Sequence, residues 1–390
     1  MRKRLLIPVV IGIGLCIILA VVILIANSGE KLVLRYSSFT NCLDSVKAVE
    51  NNTYGNLDFS DCYYETVNIT SAGEVNAIIA GMDSASSKKI SLNENDARKK
   101  ALLGLYEVLF GKECTIGKDD ISEDGSVDLS TEAISCRLNP YNTLFMADNS
   151  RYVLPVAGLC SRRMLYRLDE EAAVPDICAK GVSMSLSEAV KWCDELNSEY
   201  LSAYCIGDSY SLKNAYIITA ADGHEAYVIR YAHSYKGISM NDVGNGANSQ
   251  YGTVKMNWLE YEIDVEGICG VRNFYSVAFM EEKKLDDSFL DFESACALLS
   301  NYLAPYGVYN VDRVSIEYVS PFYDDENHSE TIFEYRPMWC FQTGNGTEDT
   351  SDIDPRMIMC VDMQTADIYV VDMLTNRAWF SINPDKPLDT

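Results

Sequence analysis

The residues 120–131, DISEDGSVDLST, carry oxygen-bearing side chains at the spacing of a calcium loop. Asp120, Ser122, Asp124, Ser126 and Asp128 fall at alternate positions, Gly125 stands where such loops turn sharply, and Val127 is the apolar residue after it. A hard cation needs about seven oxygens, and a bidentate carboxylate at the last position normally completes the shell. Thr131 stands there instead, with Glu132 one place late. Calcium is therefore one expectation for Asp120, Asp124 and Asp128, and an ordinary acidic loop is the other. No further cofactor is expected.

Other chemistry has little to build on. Nucleophilic hydrolysis needs a base beside a Ser or Cys, and the chain has only three histidines, His224, His233 and His328. Ser86 and Lys89 in SSKK make a formal S-x-x-K, but its companion motifs are missing. Zinc ribbons and thioredoxin-like sites call for C-x-x-C, which the sequence lacks. A carboxylate pair of the glycosidase kind stays open, because 57 acidic residues guarantee pairs somewhere and none stands out.

Thirteen cysteines include one, Cys16, in an apolar run and twelve beyond it. An even number outside a membrane favours disulfides. Cys340 and Cys360, both in strand-like runs, form the pair expected to be neighbours; buried free thiols are the alternative.

Residues 5–26 contain no charged side chain and follow Arg2, Lys3 and Arg4. Twenty-two helical residues at about 1.5 Å each match a hydrocarbon core of about 30 Å. The run outlasts a signal-peptide h-region and ends in VILIANSG, a poor cleavage site. The three leading cations favour a cytoplasmic head. The expectation is a single-pass anchor in the cell membrane, with the remainder extracytoplasmic. Beyond the anchor, 29 basic residues stand against 57 acidic ones, a net charge of −28. Such a surface repels phosphate backbones, so nucleic acid is excluded as a partner.

The elements that must position these residues read as α+β. DARKKALLGLYEVLFG is a helix with Asn95 as N-cap, Gly111 at its end, and Leu102, Leu105, Tyr106 and Leu109 as its stripe. SLSEAVKWCDELNSEYL opens with a capping box, Ser185 and Glu188, and its stripe is Ala189, Trp192, Cys193, Leu196 and Tyr200. A shift of 103 residues reaches SFLDFESACALLSNYL, where Ser288 and Asp291 echo the box. Phe292, Ala295, Cys296, Leu299 and Leu303 echo the stripe there. Strands follow each helix, the clearest being WLEYEIDVEGI, with Leu259, Tyr261 and Ile263 on one face and Glu260, Glu262 and Asp264 on the other. A helix laid over an antiparallel meander buries one face and leaves the other polar. The expected order is a head (1–4), the anchor (5–26), an N-terminal α+β domain (27–182) and two helix-plus-meander units (183–285 and 286–390), the last two a tandem repeat.

In the second unit, YRPMWCFQT followed by IMCVDMQTADIYVVD resembles PepSY-like and YycH/YycI-type extracytoplasmic modules of Gram-positive bacteria. Tyr335, Pro337 and Trp339 match in one strand, and Asp362, Thr365 and Ile368 match around a hairpin; Ala366 replaces the glycine usual there. The resemblance reaches at most over residues 183–380. It implies one membrane helix, tandem α+β domains and regulation of membrane sensor kinases through protein contacts rather than catalysis.

The leading expectation is thus a membrane-anchored, non-enzymatic protein that binds an envelope or membrane protein. Tyr227, Tyr231 and Tyr235 either offer a contact ladder or pack beneath a helix. The alternatives are an envelope-acting hydrolase with a carboxylate pair, and a peptide- or glycan-binding module.

Overall fold

The computed structural model describes residues 33–46, 53–60, 62–65, 75–81, 97–138, 144–152, 160–165, 175–205, 207–220, 222–241, 258–273, 278–320, 332–343, 357–372 and 377–381. Residues 5–26, Ser86, Lys89, Asn95 and His328 lie outside them. No described helix is long and apolar enough to cross a membrane.

The described chain is mixed α+β, with four helices packed on extensive, mainly antiparallel sheet. Helix α1 (Phe39–Ser45) and the strands β1 (Tyr63–Tyr64) and β2 (Ala77–Gly81) come first. Helix α2 (Ala97–Phe110) follows, ending at Gly111, whose φ of +61° suits a residue without Cβ. Then come β3 (Ile134–Leu138), β4 (Leu144–Asp148), β5 (Cys160–Leu165) and helix α3 (Leu186–Glu199). The meander β6 (Ser209–Ala220), β7 (Glu225–Tyr235), β8 (Ile238–Asn241), β9 (Trp258–Asp264) and β10 (Gly267–Asn273) completes a first lobe.

In that lobe the hydrogen-bonded order is β3–β4–β10–β9–β7–β6–β5, antiparallel throughout. Helix α3 starts where the sequence says it should. Ser185 Oγ accepts from Glu188 N–H at 3.3 Å, while the Glu188 carboxylate accepts from Ser185 N–H at 2.9 Å. Leu186, Ala189, Cys193 and Leu196 are buried against the face that carries Tyr227, Ile229, Tyr231, Leu259, Tyr261 and Ile263. Trp192 and Tyr200 are half-buried at the margin. Each large apolar side chain so buried contributes roughly 1.5–3 kcal/mol before entropy is counted.

The second lobe contains helix α4 (Phe292–Leu303) and the strands β11 (Arg313–Val319), β12 (Ile332–Thr343), β13 (Met357–Asp362), β14 (Ile368–Asp372) and β15 (Arg377–Ser381), paired in that order. Phe292 stacks on Phe341 at 5.7 Å and meets Trp339 at 5.0 Å and Phe59 at 6.0 Å. Trp339 also donates its indole N–H to Leu290 O at 2.9 Å.

Three features depart from the sequence reading. The described part of 27–182 divides between the two cores. Phe39, Leu57, Phe59 and Ile78 pack in the second lobe, whereas Ala101, Leu102, Leu105 and Tyr106 pack in the first. Strand β1 runs parallel to β11, and β2 pairs with β12.

The second helix is capped by Asp291, which accepts from Ser294 N–H at 2.7 Å; Ser288 lies outside the helix. Caps at 185 and 291 are 106 residues apart, one turn more than the 103 of the stripes. Positions three apart share a helix face, so a stripe fixes the face but leaves the turn open.

Lastly, the polar face of the first sheet is not solvated: Glu260, Glu262 and Asp264 are all 2% exposed or less. Tyr152 lies over this face, against Gly270 and the cluster Tyr216, Ile218, Ala226 and Val228.

Candidate functional site

The two lobes join at strand β8, which leaves β7 and runs parallel to β11, pairing Ser239 with Glu317 and Asn241 with Val319. Beside this seam sits a group of four buried charges. Strand β6 bulges between Leu212 and Asn214, and the extra residue is Lys213, whose side chain is 6% exposed. Its Nζ lies 3.0 Å from Glu65 Oε1 and 3.0 Å from Glu317 Oε1. Arg313 donates from Nη2 to Glu65 and from Nη1 to Lys213 O. Ser315 Oγ donates to Glu317 Oε1 at 2.9 Å. Two cations and two carboxylates balance, and they come from β1's flank, the first lobe and the second lobe.

Burial alone would raise the Glu65 carboxyl, but Lys213 and Arg313 outweigh it and hold the group down at about 2. A balanced buried network of this kind adds little net stability over apolar residues, yet it strongly penalises any arrangement that breaks it. It therefore fixes how the lobes meet.

Next to the joint is a pair of thiols. Ser315 faces Cys340 across β11–β12, and Cys340 faces Cys360 across β12–β13. Both cysteines are fully buried and their sulfurs are 3.4 Å apart. The expected neighbours are thus brought together, but as free thiols rather than a bridge, as are all eleven described cysteine side chains. Burial and the adjacent Cys360 and Glu317 push the Cys340 thiol well up, against a smaller opposite pull from Lys213.

Ion pairs also run along the covered face of the first lobe. Glu260 accepts from Arg230 Nε at 2.7 Å and from Arg272, and the Arg230 guanidinium lies 5.1 Å above the Tyr216 ring. Asp264 accepts from Arg151 Nε at 2.9 Å, with His224 Nε2 3.4 Å away. Burial opposes ionisation of Glu260, and the two guanidiniums override it. Held this way, Glu260 stays ionised and makes a poor general acid. His233 is fully buried 4.9 Å from the Tyr210 ring. Burial lowers its pKa to about 3, against a smaller raising effect from Asn273, so the ring is neutral near pH 7.

The loop 120–131 is a hairpin. Ser122 N–H donates to Ser126 O at 2.9 Å, Ile121 bridges Val127, and a short strand at Val127–Asp128 leads back to β3. Each carboxylate serves its own turn. Asp120 accepts from Gly117 N–H at 2.7 Å, Asp124 from Ser126 at 2.9 Å, and Asp128 from Ser130 N–H at 2.9 Å while pairing with Arg137. Each of the three carboxylates is thus engaged in its own turn, and a strand follows the loop where a calcium site of this kind has an exit helix. Among the described residues no cluster of three or more His, Cys, Asp or Glu side chains could hold a metal.

Of the tyrosine ladder, Tyr227 and Tyr231 pack beneath the first lobe's helix layer. Tyr227 donates to Pro175 O at 2.9 Å and Met184 O at 3.1 Å, and Tyr231 donates to Asp194 at 2.8 Å. Tyr235 is half-buried and donates to Glu282.

Sequence reasoning passed over Glu65, Lys213, Arg313 and Glu317. The one available signal was a lysine inside the long strand SYSLKNAYIITA.

The chain matches no family model, and no curated protein matches it. Among solved structures it is similar to an uncharacterized protein from Eubacterium rectale ATCC 33656. The two are 13% identical over 88% of this chain and 99% of that one, with a TM-score of 0.47.

Proposed function

We propose that the chain is a membrane-anchored extracytoplasmic protein that acts by binding a protein partner at the cell envelope, in the manner of YycH/YycI-type regulators, and without catalysis. One observation carries this reading: the uncharged run 5–26 behind Arg2, Lys3 and Arg4, followed by a body of net charge −28. The rigid joint supports it, because two lobes locked by one sheet and four buried charges present a fixed surface. The interior carboxylates Glu65, Glu260, Asp264 and Glu317 are committed to cations, which suits scaffolding.

The test is made on the full chain in its own membrane. Fractionation should place it with the membrane, and external protease should reach the body but not the head. A photo-crosslinker at Tyr306 or Val308, which are 64% and 71% exposed, should yield one defined adduct with a membrane or envelope protein. Recovery of the intact chain from cytosol would overturn the anchoring. Turnover of an envelope polymer, abolished by changing one acidic pair, would overturn the non-catalytic reading in favour of a hydrolase.

A further inference from the structure

We infer that Cys340 and Cys360 are a folding-sealed redox pair: they bridge when the chain folds in an oxidising compartment, and the finished fold then fixes whichever state was reached. The geometry is that of a bond waiting to form. The two residues are direct cross-strand partners, and their sulfurs are 3.4 Å apart. Facing residues in antiparallel strands have Cα atoms about 4.5 or 5.5 Å apart, and both spacings lie within the range that disulfides span. The remaining described cysteines show no such cross-strand register with one another.

The chemistry is an exchange with an external disulfide, either a thiol oxidoreductase or a small-molecule disulfide. One cysteine, as thiolate, attacks that disulfide, expels a thiolate and leaves a mixed disulfide on the chain. The second cysteine's thiolate attacks the chain's own sulfur in the mixed disulfide and releases the other half of the reagent. The chain loses two protons and two electrons, and the external disulfide takes them up to become two thiols.

Both steps require an accessible thiolate. In the folded protein both side chains are fully buried beneath the joint, at the centre of a sheet that β13, β14 and β15 extend. Neither an oxidant nor a reductant reaches them there. The burial that keeps Cys340 protonated closes the same door a second time. The pair consequently records the compartment in which the second lobe closed.

The full chain is prepared in two ways: recovered from its own membrane, and synthesised under reducing conditions into detergent. Each sample is denatured without reductant, alkylated and mapped by mass spectrometry. The membrane-derived chain should yield a linked 340–360 peptide with neither residue alkylated, and the reduced preparation should yield both alkylated. Native samples should not exchange: the bridged form should resist a phosphine reductant, and the dithiol form should resist oxidised glutathione, until denaturant is added. Unfolding in urea should give a higher midpoint for the bridged form than for the reduced one. That difference should vanish in Cys340→Ala/Cys360→Ala, and in Cys340→Ser/Cys360→Ser should the alanine variant fail to fold.

Full alkylation of both residues in membrane-derived chain overturns the inference. So does linkage of either cysteine to a third, or exchange in the native state as fast as in denaturant. Should the anchoring proposal fail and the chain be found in cytosol, refolding it with oxidised glutathione still decides the matter: a 340–360 bridge upholds the inference, and two alkylated thiols reject it.

Discussion

Replacing Lys213 by methionine keeps the length of the side chain and removes its charge. Glu317, 2% exposed at its side chain, then loses the ammonium at 3.0 Å, and Glu65, 18% exposed, keeps Arg313 alone. Stripping one partner from a buried ion pair costs about 3–5 kcal/mol, because the remaining charge stays desolvated. The retained Arg313 places the expected loss near the lower end, about 3 kcal/mol. The acid dependence gives a second handle. The Glu65 carboxyl is lowered from 4.5 to about 2, so its contribution is fully present above about pH 4.5 and is lost as the pH falls toward 2. A shift of that size corresponds to roughly 3 kcal/mol at neutral pH. Urea unfolding of the full chain in detergent should show Lys213→Met lowering stability by that amount near pH 7, with a flatter profile between pH 4.5 and 2 than the parent. Adding Glu317→Leu should recover most of the loss, since an apolar substitute removes the buried carboxylate that has lost its ammonium. A Lys213→Met variant within 1 kcal/mol of the parent at pH 7, or a double variant less stable than the single one, would refute the view that these charges lock the lobes.

Trp339→Ala should cost about 3–5 kcal/mol, because it empties the centre of the second core and leaves Leu290 O without its indole donor; urea unfolding measures it. Ala366 holds φ +63° in the β13–β14 turn, so Ala366→Gly should stabilise by up to about 1 kcal/mol, read as a higher melting temperature. Calorimetric titration of calcium should give no heat from the 120–131 hairpin, and Asp124→Asn should leave the trace unchanged.

What was legible in the sequence was local. The capping box at Ser185 was readable because both of its hydrogen bonds close within one turn. Cys340 and Cys360 were readable because alternation in YRPMWCFQT and IMCVDM puts each in a strand. The joint was not readable. Lys213 turns inward only because β6 bulges at that residue, and its partners lie 148 and 104 residues away in sequence. A parallel seam such as β8–β11 leaves no turn signal, since no hairpin connects its strands. Glu260, Glu262 and Asp264 looked like a solvated face because strand alternation distinguishes two faces without telling what covers the second.

The stitching of the described part of residues 36–81 into the far lobe has a consequence for biogenesis. Residues 36–37, helix α1 and strands β1 and β2 leave the ribosome early, but their partners arrive about 200–250 positions later, as Gly81 opposite Ala278, Tyr36 opposite Leu290 and Tyr63 opposite Arg313 illustrate. Contacts so distant in sequence form slowly. The first lobe can close while this opening stretch still waits, its apolar Phe39 and Phe59 uncovered, for the last strands to be made. A chain interrupted before residue 290 would keep a folded middle and a permanently orphaned beginning, the sort of product that quality-control proteases recognise.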